Sequence, residues 1–238
     1  MKTKSGALAA TLLASLGALA MAATAATPKP VAKAPVKRNM TAAVTLTPES
    51  GYLRGNPAAP VKLVVFSSYT CPHCAHFEVD ADAQLQLGFI GNGKGSVEVR
   101  SFYRNPIDVA ATLLATCGGT AKFYGNHTAI LRSQAKWLRN PSQAEAQRWN
   151  NPDFATRMRA ISRDLGLYKL MEARGYTPAQ LDKCLADKPL AERIANQSAI
   201  DSEKYKIPGT PSFLVNGELQ ESVHDWASLR HKLQALTK

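Results

Sequence analysis

Two cysteines with two residues between them, Cys71-Pro72-His73-Cys74, follow the short apolar run Val61-Lys62-Leu63-Val64-Val65-Phe66. Such a run reads as a buried strand, and the four-residue motif after it fits one helical turn, so the chain must pass from strand to helix here. The first sulfur then stands at a helix N-terminus, where unpaired backbone N–H groups and the helix dipole favour a thiolate. Pro72 suits the first helical position, which has no N–H partner to lose. Paired thiols in that setting read first as a redox couple.

The rest of the chain can be ordered around this junction. Residues 51–60 are turn-rich and lead into a strand over Val61 to Ser67. A helix is expected from Cys71 through Phe77 to about Leu87, with glycines 88, 91, 93 and 95 breaking the chain. Ser96 to Phe102 alternates polar and apolar residues and predicts a second strand. From about Ile107 to Pro189 the pattern turns helical. Val109, Leu113, Leu114 and Cys117 share one face, as do Ile130, Leu131 and Trp137, and Met158, Ile161 and Leu165 mark a further helix. Thr177 before Pro178 reads as an N-cap with proline at the first position. A helix over about 190–205 comes next. Ser212 to Val215 and Glu218 to Gln220 flank Asn216-Gly217, the strongest short hairpin signal. A last helix carries Trp226, Leu229, Leu233 and Leu236.

The chain's 238 residues, 45% hydrophobic, suffice for one sizeable core or a core plus an insertion. Its beginning reads as an export signal over residues 1–25: Lys2 and Lys4, an apolar Ala7–Ala23 stretch, then small residues offering cleavage sites. The alternative is an uncleaved anchor, for which the stretch is short and rich in Ala, Gly and Ser. Residues 26–39, with three prolines, four basic residues and no acidic one, suit an extended linker. Six of the 29 basic residues precede residue 40 and no acidic one does, so the remainder carries 23 basic against 18 acidic residues. That mild excess, without an aromatic-and-basic motif, does not point to a nucleic-acid partner.

Four cysteines in an exported chain can be disulfide-bonded, and the pairing that respects the motif is Cys71 with Cys74 and Cys117 with Cys184. A Cys117–Cys184 bridge would staple the two ends of the helical block; two buried reduced thiols remain the alternative. Metal binding is disfavoured, because no second close cysteine pair completes a zinc set. Covalent haem attachment needs a histidine after Cys74, where Ala75 stands. No cofactor beyond the Cys71–Cys74 pair is expected.

The segment Ala59 to Ser67 with Tyr69-Thr70-Cys71-Pro72-His73-Cys74 resembles the active-site segment of DsbA-like thiol:disulfide oxidoreductases. Ile207-Pro208-Gly209-Thr210-Pro211-Ser212-Phe213-Leu214-Val215-Asn216-Gly217 resembles that family's second active-site loop, and Cys117 to Tyr124 the start of its inserted helical domain. The resemblance covers about residues 55–238. It implies a thioredoxin-like α/β fold with an inserted all-helical domain: thioredoxin-like parts over 40–106 and 190–238, and the insertion over 107–189.

By that resemblance Cys71 is an exposed nucleophile and Cys74 a more buried resolving thiol. His73 adds a hydrogen bond or partial charge beside the thiolate. Pro211 is cis and, with Thr210, binds an extended substrate; an ordinary trans proline is the alternative. The implied activity is disulfide donation to exported, periplasmic proteins with free thiols, followed by reoxidation by a membrane quinone-linked partner. An isomerase or reductase of the same architecture, or a thiol-dependent assembly factor, is the rival. Dimeric isomerases of this kind carry a separate dimerisation domain, and residues 40–58 are too few for one, which favours a monomer and an oxidase. Thr210 points mildly the other way. One departure stands out: the family often carries an acidic residue six positions before the first cysteine, where this chain has Val65.

Overall fold

The structure, a computed structural model, describes residues 40–237. The expected export signal (residues 1–25) and linker (residues 26–39) lie outside the described residues. Strands β1 (Val44–Leu46), β2 (Tyr52–Gly55), β3 (Val61–Ser67), β4 (Gly95–Ser101), β5 (Ser212–Val215) and β6 (Glu218–Leu219) form one sheet in the order β1-β2-β4-β3-β5-β6. Only β3 and β4 run parallel among these pairs, joined by the crossover through α1 (Pro72–Gln84); the others are antiparallel. β3 lies between β4 and β5 and is buried at every position but Lys62, which explains its near-continuous apolar run.

Residues 51–60 proved to be more than turn. Tyr52–Gly55 pairs with β4, Tyr52 opposite Val99, and β1 adds a further edge strand. Arg54 disguised the strand as polar. Its guanidinium is nevertheless buried, 3.6 Å from the centre of the Tyr124 ring. A second difference concerns the glycines. Gly88 does not stop the helix: α1 passes into a π-helical turn, Leu85–Ile90, closed by Gly91 N–H donating to the Gln86 carbonyl at 2.8 Å. That turn buries Phe89 and Ile90, and the Phe89 ring lies where a Cβ on Gly95 would stand 2.0 Å away. The glycine at the start of β4 is thus needed for close approach.

Between β4 and α9 (Lys188–Tyr205) come α2 (Pro106–Ala115), α3 (Thr120–Arg132), α4 (Gln134–Trp137), α5 (Gln143–Trp149), α6 (Phe154–Asp164), α7 (Leu167–Glu172) and α8 (Pro178–Leu185). Leu113, Leu114, Ile130, Leu131, Met158 and Ile161 centre their shared core. The chain breaks at Ser133, so Trp137 sits on the separate short α4 rather than on the helix of Ile130; its indole still donates to the Ile130 carbonyl at 2.9 Å. Cys117 lies in the turn after α2, not on its face, and is disulfide-bonded to Cys184 of α8 with the Cα atoms 5.7 Å apart. Thr177 caps α8 in a reciprocal capping box with Gln180. Asn216 and Gly217 both take positive φ, as a two-residue hairpin of type I′ demands. The last helix, α10 (Trp226–Leu236), packs Trp226, Leu229 and Leu233 against the sheet residues Phe213 and Val215 and against Phe77 of α1.

Candidate active site

β3 ends at Ser67, and four residues later Cys71 caps α1. The Cys71 carbonyl accepts the first helical bonds, from Cys74 N–H at 3.1 Å and Ala75 N–H at 3.3 Å, with Pro72 in the first position. The helix N-terminus therefore points at the Cys71 sulfur, as the sequence required. Both cysteines are free thiols.

The expected exposure of Cys71 is not what the structure has. Its residue is 3% exposed, against 1% for Cys74. The cause is the loop before β5: the Thr210–Pro211 peptide bond is cis, and the Cys71 thiol donates to the Thr210 carbonyl at 3.0 Å. Thr210 and Pro211 thus meet the motif in space from 139 residues away. The His73 side chain is exposed, and the contribution of that residue to the thiolate comes from its backbone N–H.

The two sulfurs differ sharply. A hydrogen bond from Cys74, assisted by Thr210 and the backbone N–H groups of Cys74 and His73, outweighs burial and lowers the Cys71 thiol to about 5. Burial pushes the Cys74 thiol well above its ordinary range, and the neighbouring Cys71 adds to the effect. Ser68 N–H donates to the Cys74 sulfur at 3.5 Å. One thiol is ready to ionise at neutral pH while the other holds its proton.

Helices α2, α3 and α4 hold the loop that carries this pair. Asp108, in the first turn of α2, is fully buried and accepts from Ser68 Oγ at 2.9 Å, Thr70 N–H at 3.0 Å, Thr70 Oγ1 at 3.1 Å and Arg104 N–H at 2.9 Å. Burial raises its carboxyl, and these donors work against the rise. Gln134 of α4 donates from Nε2 to the carbonyls of Tyr69 (2.7 Å) and Cys71 (3.0 Å). The Tyr69 hydroxyl meets His127 Nδ1 of α3 at 2.8 Å, and His127 Nε2 lies 3.6 Å from Glu78 Oε2. Sequence reasoning missed Asp108, His127, Gln134 and Glu78. Asn105-Pro106 before Asp108 marks a helix start, yet nothing local tells a capping acid from one that clamps a loop 38 residues earlier.

Cys117 and Cys184 stand apart from the motif as a bridge within the helical segment. Among the described residues no group of three or more His, Cys, Asp or Glu is placed to hold a metal ion, and no helix is long and apolar enough to cross a membrane. Chemically, the arrangement can exchange a thiol for a disulfide and stabilise the thiolate that leaves.

Residues 47–235 match the family model described as Thioredoxin. The crystal structure of a protein-disulfide isomerase from Novosphingobium aromaticivorans is 46% identical, with a TM-score of 0.75 over 78% of this chain and 97% of that one. Wolbachia pipientis alpha-DsbA1, 18% identical, shares the fold with a TM-score of 0.64 over 79% of this chain and 90% of its own. A candidate protein-disulfide oxidoreductase of Rickettsia bellii is 29% identical over 175 residues, covering 73% of this chain and 60% of the relative. The chain thus spans about 60% of that relative's length.

Proposed function

Because the chain belongs to the thioredoxin family, among its DsbA-like members, we propose that it is an exported, periplasmic thiol:disulfide oxidoreductase that donates the Cys71–Cys74 disulfide to exported proteins. The observation that carries this reading is the contrast between the two thiols: Cys71 lowered to about 5 at the helix N-terminus, Cys74 raised by burial. A substrate thiolate attacks Cys71 Sγ, the Cys71–Cys74 bond breaks, and Cys74 leaves as a thiolate and takes up a proton. A second substrate thiolate then attacks the substrate sulfur of the mixed disulfide. Cys71 departs as a thiolate, and the substrate keeps the new disulfide. The easily ionised leaving group favours this direction. Two electrons remain on the reduced pair for a membrane quinone-linked acceptor. The Thr210 carbonyl, at 3.0 Å from the Cys71 sulfur, would give way to the substrate as it docks along the Thr210–Pro211 loop.

A second reading has its own support. The 46%-identical structure is called a protein-disulfide isomerase, and Thr210 before Pro211 suits that use. Reduced, unfolded ribonuclease separates the possibilities. Catalytic amounts of the protein, with oxidised glutathione as the terminal oxidant, should restore its disulfides, and Cys74→Ser should trap substrate on Cys71. Activity confined to scrambled ribonuclease and the reduced protein would favour the isomerase. A requirement for stoichiometric protein would leave a thiol-dependent binder.

A further inference from the structure

A groove of about 340 Å³ opens beside the motif, between α1 and the corner where α3 meets α4. That is the small end of ligand clefts, which run about 300–1,000 Å³. Its place follows from the helix. Phe77 of α1 packs on Phe213 of β5 and Trp226 of α10, with ring centroids 4.8 and 6.4 Å apart. Ala75 and Val79 stand two positions to either side of Phe77, about 200° round the axis at 3.6 residues per turn, so they face away from β5 and α10. Pro72, bonded to Cys71, lines the same groove, and Ala135 and Leu138 form the opposite wall. Pro72, Val79 and Ala135 are exposed, Val79 by 54%, while Ala75 is buried and closes the floor.

Two features tie this groove to the reacting sulfur. Its far wall is fastened to the motif: Gln134 Nε2 donates to the Cys71 carbonyl at 3.0 Å and to the Tyr69 carbonyl at 2.7 Å, and the Trp137 indole holds α4 to α3 through the Ile130 carbonyl at 2.9 Å. The groove is therefore formed before a client arrives, and little order has to be imposed on it at docking. It also lies on the side of the nucleophile opposite the Thr210 carbonyl, so a chain running from the Thr210–Pro211 loop across Cys71 comes next to Pro72 and the groove. Arg132 on the rim is already paired with Asp82 at 3.3 Å, and the lining includes no carboxylate, so the surface on offer is chiefly apolar.

We infer that this groove is a specificity subsite for thiol exchange: it seats one apolar side chain of the client polypeptide, of leucine or phenylalanine size, a few residues from the cysteine that Cys71 engages. The inference rests on the proposed thiol-exchange activity and names the clients that activity favours. Unfolded chains still expose apolar side chains near their thiols, whereas folded ones have buried them. Seating such a side chain selects the client before its disulfides have formed.

The test mixes the full-length oxidised protein with excess dithiol peptides of Gly and Ser that carry one guest residue, Leu or Ala, one to four positions before or after the first cysteine. Acid-quenched mass spectrometry follows transfer of the disulfide to the peptide. With the guest at the position that reaches the groove, Leu should raise the second-order rate constant about tenfold over Ala, the return for partly burying three more carbon atoms. Ala135→Trp fills the groove from α4, and Val79→Glu sets a charge in it from α1; each should bring the Leu/Ala ratio close to one. Both positions are exposed, and a ratio taken within one variant is not moved by a general loss of rate. A ratio near one at every guest position in the wild-type protein overturns the inference. So does a preference that survives in both folded variants, which would place the apolar contact elsewhere, such as along the Thr210–Pro211 loop. Wild-type protein that passes no disulfide to any peptide would instead remove the proposed function, and the role of the groove with it.

Discussion

Changing the pH alone should expose the Cys71 thiolate in the reduction potential. With Cys71 lowered to about 5 and Cys74 raised, the reduced pair carries one proton rather than two over the neutral range. Reduction then takes up two electrons and one proton, and the potential should fall by about 30 mV per pH unit. Below about pH 5 both thiols are protonated and the slope steepens to about 59 mV per unit. An ordinary cysteine pair, with pKa near 8.5, keeps the steeper slope up to about that pH. At pH 7 the accumulated difference is about 60 mV, or about 2.7 kcal/mol in favour of the reduced form. The same quantity appears in folding. A depressed pKa adds stability that is fully present above the unfolded value near 8.5 and is lost as pH falls through about 5, so the reduced protein should lose it across that window while the oxidised protein does not. Equilibration in oxidised and reduced dithiothreitol between about pH 4 and pH 8, followed by alkylation, gives the slopes, and urea unfolding of both forms gives the stabilities. A single slope near 59 mV per unit up to pH 8 would refute the assignment of a thiolate to Cys71.

Three further outcomes follow from particular contacts. Cys74→Ala removes the main hydrogen bond to the Cys71 sulfur; a bond to a charged group is worth about 1.5–3 kcal/mol, so the Cys71 pKa should rise by about 1–2 units in iodoacetamide alkylation profiles. Asp108→Asn leaves Arg104 N–H or a Thr70 donor facing an amide N–H, and should cost about 1–3 kcal/mol in urea unfolding while the Cys117–Cys184 bridge stays intact. Replacing Cys117 and Cys184 together by alanine opens a loop of 67 residues, and should lower stability by about 4 kcal/mol in the chain-entropy view, with ribonuclease oxidation retained at a temperature where the variant is folded.

How far the sequence alone could be read depends on the range of the interaction concerned. The strand–motif–helix junction was legible, because an apolar run, a proline and two thiols are neighbours and obey local rules. The Asn216-Gly217 hairpin and the Thr177–Gln180 cap were legible for the same reason. The strand around Arg54 was not, since a guanidinium stacked on Tyr124 looks like a surface residue until α3 is in place. Nor was the burial of Cys71, which the distant Thr210 carbonyl imposes.

From its own order of residues, then, this protein fixes where the reactive sulfur sits on its helix, since backbone N–H groups at a helix start act on whatever residue caps it. Which side chains surround that sulfur was decided by the packed fold. Asp108, His127 and Gln134 come from three helices of the long segment between β4 and α9, and they reach the loop only because that segment folds back over it. Short-range hydrogen bonding and steric preference are written in adjacent residues. Burial, shared cavities and charge pairing are properties of pairs distant in the chain, and they exist only once the chain has closed on itself.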